Sequence, residues 1–258
     1  MEWIVLGSGT AVPHAQRASA AHWLQTNSGS ILLDAGSGVG FRMAQEGLDW
    51  PNLDAIWISH FHLDHLGGLP PLLFGLRHAP QTQARIKPLT IYGPIGLQGW
   101  LETVDAAANS KLFQQPFPLT VVEVTGESTP ALLPGLKARF FHTPHTAESL
   151  AIRLVAGDGA SVAYTSDTGY AAELGEFARD CDLLVIECSF PRDKPVAKHL
   201  ELADVLQLAR AARPRVALLT HLYPEWDTVC LQEELRRQNA HPSCALIEAT
   251  DGLCLKIV

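Results

Sequence analysis

Short apolar runs rich in Val, Ile and Leu recur along the chain and stop at turn residues, so each reads as a strand. In the first half these are Trp3 to Leu6, Ser30 to Leu33, Ala55 to Ile58, Leu89 to Tyr92 and Leu119 to Val124. The second half adds Ala138 to Phe141, Leu150 to Val155, Ser161 to Tyr164, Leu183 to Ile186, Val216 to Leu219, Cys244 to Ile247 and Leu253 to Val258. Helices are fewer: Gly38 to Glu46, a segment after His65 to about Leu76, Gly96 to Ala107, Ala171 to Ala178, Leu200 to Ala212, and Asp227 to Gln238. Asp227, ahead of Glu233 and Glu234, reads as the cap of the last helix. Strands in blocks with helices between them predict sheets covered on one face by helices. No linker, charge block or low-complexity segment divides the chain, which predicts one domain over residues 1–258. No repeat is visible, but a strand followed by Asp-x-Gly occurs twice, at Asp34 and at Asp167.

Composition narrows the class. With 258 residues and 47% apolar content the chain can bury a sizeable core. A net charge of -8 argues against gripping polyanions through bulk charge. The start of the chain has no basic leader ahead of an apolar run, and no segment offers the ~18 uninterrupted apolar residues of a membrane span. Five cysteines without C-x-x-C pairing suggest free thiols, mostly small core residues, in a reducing cytoplasm.

The chemistry concentrates where the strand Ala55 to Ser59 runs into His60-Phe61-His62-Leu63-Asp64-His65, followed by Leu66-Gly67-Gly68. If this segment stays extended, His60, His62 and Asp64 point to one side and converge on a metal ion, while His65 points elsewhere and suits a second. Imidazoles and a carboxylate suit Zn²⁺ or a similar ion, and the lack of thiolates argues against a closed structural zinc site.

H-x-H-x-D-H followed by Leu-Gly-Gly resembles the signature of the metallo-β-lactamase superfamily. That resemblance implies a four-layer αβ/βα sandwich of the α/β class, with the site at one edge where loops from both halves meet. Within the superfamily the chain resembles the ribonuclease Z branch over nearly its whole length. His145, with Ser149 and Arg153 at the matching intervals, resembles the branch's third ligand motif. Asp167 in Tyr-Thr-Ser-Asp-Thr-Gly resembles its bridging aspartate, and His221 in Leu-Leu-Thr-His-Leu its last histidine ligand. The resemblance then implies one metal on His60, His62 and His145 and another on Asp64, His65 and His221, with Asp167 between them. His142 is a rival to His145 but does not set the Ser149 and Arg153 spacing. Gly7-Ser8-Gly9-Thr10 and Asp34-Ala35-Gly36-Ser37-Gly38 resemble the branch's first two loops.

His199 lies 22 residues before His221. The branch has a catalytic histidine at that separation, serving phosphodiester cleavage; otherwise His199 would cap the Leu200 helix. Glu187 resembles the acid of the branch's His-Glu-Ala-Thr-Phe stretch and is a candidate support for the ligands. Arg77 and His78 are candidate substrate contacts, while His14, His22 and His241 show no metal spacing. The implied reaction is hydrolysis with two divalent cations, zinc first and manganese, iron or cobalt as alternatives; Asp64 would orient the attacking hydroxide and His199 act on the far side.

Ribonuclease Z carries a long basic arm that clasps transfer RNA, often inserted between the equivalents of His145 and Asp167. Here Thr146 to Ser166 holds one Arg and no Lys. A small or short nucleotide phosphodiester is therefore expected as substrate, rather than structured transfer RNA, with no membrane partner. Transfer RNA 3′ processing remains an alternative, as do aryl sulfate, lactone, thioester or β-lactam hydrolysis and a non-catalytic scaffold. Similar proteins are often homodimers.

Overall fold

In the computed structural model, which describes residues 1–257, fourteen strands form two seven-stranded sheets. The first half contributes β1 (Glu2–Gly7), β2 (Ala21–Thr26), β3 (Gly29–Leu33), β4 (Ala55–Trp57), β5 (Leu89–Pro94) and β6 (Leu119–Val124). Then come β7 (Ala131–Leu133), β8 (Leu136–His142), β9 (Leu150–Ala156), β10 (Ser161–Tyr164), β11 (Leu183–Glu187), β12 (Val216–Thr220), β13 (Ala245–Glu248) and β14 (Cys254–Lys256). The helices are α1 (Val39–Gln45), α2 (Leu63–Leu66), α3 (Leu69–His78), α4 (Leu97–Ala108), α5 (Ala172–Phe177), α6 (Leu202–Ala212) and α7 (Leu231–Arg237). Val258, the end of the last expected strand, lies outside the described residues.

One sheet runs β14-β1-β2-β3-β4-β5-β6 and the other β13-β12-β11-β10-β9-β8-β7. In each, strands pair antiparallel on one side and parallel on the other. The switch falls at β3, which pairs antiparallel with β2 and parallel with β4, and at β10, between β9 and β11. Alternate residues of a strand leave on opposite faces. Thus Ile31, Leu33, Ala55 and Trp57 meet Ile152, Leu154, Val162 and Val185 between the sheets. Leu32, Ile56 and Ile58 pack under Val39, Met43, Leu69 and Leu73 of α1 and α3. Ala163, Leu184 and Leu219 do the same under Leu202, Val205 and Leu235 of α6 and α7. The result is the expected four-layer αβ/βα sandwich, with buried strands covered outside by helices.

Several expectations change. Strands β2 and β7 were not predicted: β2 mixes His22, Gln25 and Thr26 into its sequence, and β7 is only three residues long. Asp227 does not cap the last helix. It sits in a 3₁₀ turn, Pro224–Thr228, where it takes an ion pair from Arg17 and a contact at 3.0 Å from His14, while Cys230 precedes α7. The helix near residue 200 begins at Leu202, and Glu201 caps it through reciprocal bonds with Asp204, so His199 is not its cap. Cys230 and Cys254 are exposed rather than core. Among the described residues no helix is long and apolar enough to cross a membrane.

Candidate metal centre

The parallel strands of both sheets deliver their following loops to one edge. There β3 leads to Asp34, β4 to His60, β10 to Asp167, and β12 to His221. Asp34, Ser166 and His221 all hold positive φ, near 57°, 51° and 56°. For residues with a Cβ this conformation is uncommon, and such strain concentrates where tertiary structure must aim side chains.

The histidine segment is not the continuous extended run that its spacing suggested. Strand β4 stops at Trp57, His62 is extended, and Asp64 and His65 fall in the single turn of α2. Two backbone bonds fix that turn against the loop after β3: Ala35 N–H donates to His65 O at 2.6 Å, and Gly68 N–H donates to Ala35 O at 2.8 Å. The turn separates Asp64 and His65 from His60 and His62, so the motif feeds two neighbouring clusters. In one, single donor atoms of His60, His62, His145 and Asp167 lie within 4.8 Å of one another; in the other, those of Asp64, His65 and His221 do.

Asp167 faces both. Its Oδ2 lies 3.5 Å from His145 Nε2 and 3.8 Å from His60 Nε2, and its Oδ1 lies 3.1 Å from His65 Nε2 and 3.2 Å from His221 Nε2. His221 Nε2 also lies 3.3 Å from Asp64 Oδ2. His145, not His142, joins the cluster; His142 is exposed at the end of β8. Arg77 donates instead to the Lys111 and Gln114 carbonyls, and His78 lies against Phe74.

Behind the candidate ligands, further hydrogen bonds fix the tautomers. His65 Nδ1–H donates to Asp34 at 2.7 Å, His145 Nδ1–H to Lys198 O at 3.0 Å, and His60 Nδ1–H to Ser59 Oγ at 2.9 Å. Ser189 Oγ donates to Glu187 at 2.6 Å and lies 3.1 Å from His221 Nδ1, which donates to it. Four Nε2 lone pairs therefore turn inward, as metal ligation requires. His60 Nε2, His65 Nε2 and Asp167 Oδ1 are buried with no hydrogen-bond partner. Leaving such atoms unpaired in the interior costs about 1–3 kcal/mol each, and cations at the two clusters would satisfy all of them. The donor set of imidazoles and carboxylates fits a pair of divalent ions.

The cluster's charges act on one another. Burial, then repulsion from His65, holds His60 well below the usual histidine range. For His65 burial pulls downward, but the carboxylates of Asp167 and Asp34 outweigh it and raise it well above that range. Burial would raise Asp167 and Asp64, yet the histidines beside them prevail and both are lowered.

His199 stands beside the second cluster: it forms a third close group with Asp167 and His221, and its ring stacks on His221 at 5.4 Å. Its Nδ1–H donates to Glu187 Oε1 at 3.0 Å. Burial lowers its pKa, but the bond to Glu187 and the charge of that carboxylate outweigh burial and raise it. Glu187 is fully buried and also accepts from the Thr168 and Leu200 amides, so it ties the Asp167 loop to the His199 loop. Tyr223 borders the same corner, edge-on to both His199 and His221 at 5.9 Å and stacked on Phe190 at 4.9 Å. Burial, then the charges of Asp167, Asp64 and Glu187, pushes its phenol up to about 12. The sequence had not singled out Ser59, Tyr164, Ser189 or Tyr223, none of which carries a motif of its own.

A family model described as a β-lactamase superfamily domain matches residues 30–222, about three quarters of the chain. Ribonuclease Z of Pyrobaculum calidifontis is 29% identical across 94% of this chain and 93% of its own length. The metallo-hydrolase YhfI of Bacillus subtilis is 28% identical across 86% and 87%. Its crystal structure superposes with a TM-score of 0.81 at 23% identity, covering 98% of both chains. Human tRNase Z, short form, superposes with a TM-score of 0.78 at 22% identity over 100% of each chain. The chain thus belongs to the β-lactamase superfamily, and the enzyme class that goes with this fold and its His/Asp clusters is metal-dependent hydrolase.

Proposed function

We propose that the chain is a two-metal phosphodiesterase acting on small or short nucleotide phosphodiesters. The observation that carries this reading is the placement of His199: buried, aimed by Glu187 through Nδ1, and packed on His221 at the edge of the second cluster. With Nδ1–H committed to Glu187, Nε2 is the ring nitrogen left to meet a substrate, where a proton can be passed to a departing oxygen. His60, His62 and His145 would hold one cation and Asp64, His65 and His221 the other, with an oxygen of Asp167 toward each. Divalent ions bound there, zinc or a similar metal, supply a nucleophile near neutral pH and draw charge from the phosphoryl oxygens. Asp64 adds an acceptor that orients the attacking oxygen.

Small substrates are favoured by the hairpin β9–β10, which closes through the short turn Gly157 to Ala160. No basic arm leaves the sheet between His145 and Asp167. Transfer RNA processing is the second reading, supported by kinship with proteins named ribonuclease Z.

The test is turnover of bis(p-nitrophenyl) phosphate with Zn²⁺ or Mn²⁺, beside an aryl sulfate, a lactone, a thioester, a β-lactam and a precursor transfer RNA. The phosphodiester is expected to turn over, and His199→Ala to lower kcat by roughly 10²- to 10⁴-fold while keeping its metal. Unchanged turnover in that variant would sink the assignment. Preference for another ester class or for the RNA would replace it, and two bound metals with no turnover at all would point to a scaffold.

A further inference from the structure

The corner beside His199 holds a polar group that no other interaction uses. Tyr223 follows the last histidine by two residues and opens the 3₁₀ turn Pro224–Thr228, with its backbone N–H donated to Ser189 O at 3.2 Å. Its ring is gripped on one face by buried Phe190, nearly parallel at 25°, and its orientation is fixed further by the edges of His199 and His221. The side chain nevertheless remains half-buried, and its hydroxyl makes no hydrogen bond to any described residue. The ring lies 5.9 Å from those of His199 and His221, which in turn contact Glu187 and Asp167. A locked ring with an unspent O–H beside a charged centre is a preorganised donor, and such groups are worth most where charge develops in the transition state.

The surroundings show why a donor matters here. Two cations of the nearby loop are engaged elsewhere, Arg192 with Glu234 at 3.4 Å and Lys194 with Asp204 at 2.5 Å, while Lys198 stands exposed beside His199. Arg17, on the first loop, is held by Asp227 and Glu248. A phosphoryl group bound beside His221 would meet His199 and Tyr223, whose rings both pack against that histidine.

We propose that Tyr223 is a substrate contact whose hydroxyl donates a hydrogen bond to a non-bridging phosphoryl oxygen, beside the leaving oxygen served by His199. The inference rests on the phosphodiesterase reading for its substrate, but the contact itself concerns any tetrahedral oxyanion in the site.

The test compares the zinc-loaded protein with Tyr223→Phe, which removes only the hydroxyl and keeps the stack on Phe190, and with Tyr223→Ala. Metal content by elemental analysis should stay equal in the first pair. Calorimetric affinity for inorganic phosphate is expected to fall roughly tenfold in Tyr223→Phe, the scale of one hydrogen bond to a charged group. With bis(p-nitrophenyl) phosphate, kcat should fall by roughly ten- to a hundredfold and KM change less. If Tyr223→Phe matches the unaltered protein in both measurements, the ring serves packing only and the proposal is overturned. Failure of the unaltered protein to bind phosphate overturns it as well. If phosphate binds in a Tyr223-dependent way but no phosphodiester turns over, the functional reading fails while the contact stands.

Discussion

The Asp34 carboxylate accepts from the Ser59 amide and hydroxyl, from His65 Nδ1 and from the Tyr164 hydroxyl, all within 2.9 Å, and is fully buried. It ligates nothing, yet it aims a ligand from β3 and joins the two sheets through Tyr164. The sequence offered two signs of it, the strand followed by Asp-x-Gly that recurs at Asp167 and the likeness of Asp34-Ala35-Gly36-Ser37-Gly38 to a loop of the ribonuclease Z branch. Just beneath lies His22, between Trp3 at 5.1 Å and Tyr164 at 5.0 Å, buried and with both ring nitrogens unpartnered. Burial, followed by the charges of His65 and His221, lowers its pKa from 6.5 to about 3. The folded state thus keeps His22 neutral while the unfolded chain takes up a proton below 6.5. Its contribution to stability is complete above that pH and is lost as pH falls toward 3. Between pH 7.5 and pH 5 this loss should be about 2 kcal/mol. Urea unfolding of His22→Leu at both pH values should show a correspondingly smaller difference than the unaltered protein; an equal difference would assign the acid sensitivity to other groups.

Among the elements, α2 decides the most with four residues. The expectation that His60, His62 and Asp64 share one face of an extended run gave a chemically sensible cluster by a wrong route: the chain turns after His62, and Asp64 joins His65 on the second cluster instead. Period-two reasoning failed because the backbone after β4 is fixed by the loop after β3, not by its own side chains. That packing needs glycine at Gly68, where a Cβ would come within 2.2 Å of Gly36 O and 2.8 Å of Ala35 O. Its φ of −84° is ordinary, so close approach alone imposes the choice. Gly68→Ala should cost roughly 1–3 kcal/mol and displace α2, read as a fall below two metals per chain by elemental analysis. Full loading with unchanged thermal stability would show that the loop yields freely.

At the level of the whole molecule, the candidate ligands are divided between the halves. His60, His62, Asp64 and His65 follow β4 of one sheet, and His145, Asp167 and His221 follow β8, β10 and β12 of the other. Cations at this edge would fasten the two sheets and neutralise the mutual repulsion of the histidines. Ions that bind the folded chain and not the unfolded one stabilise by mass action, about 2.7 kcal/mol at a hundredfold excess over Kd. Chelation should accordingly lower Tm by several degrees, on the order of 2–4 °C per kcal/mol for a chain of this size, and added Zn²⁺ should restore it. No change in Tm on chelation would mean that the two halves hold the edge without metal.

By itself the sequence determined the alternation of buried strands and covering helices, because apolar periodicity is a local property of each segment. It also singled out the side chains that could hold metal, because imidazoles and carboxylates are scarce and their spacing survives in one dimension. Tertiary structure decided the geometry of the split that the resemblance had implied: the turn of α2, the approach of Asp64 to His221, the place of Asp167 between the clusters, and the aiming of the rings by Glu187, Asp34 and Ser189. It also brought Tyr223 to His199. Those relations join residues up to 157 positions apart, as in His221 on Asp64, and depend on strand order and loop packing that no local pattern encodes.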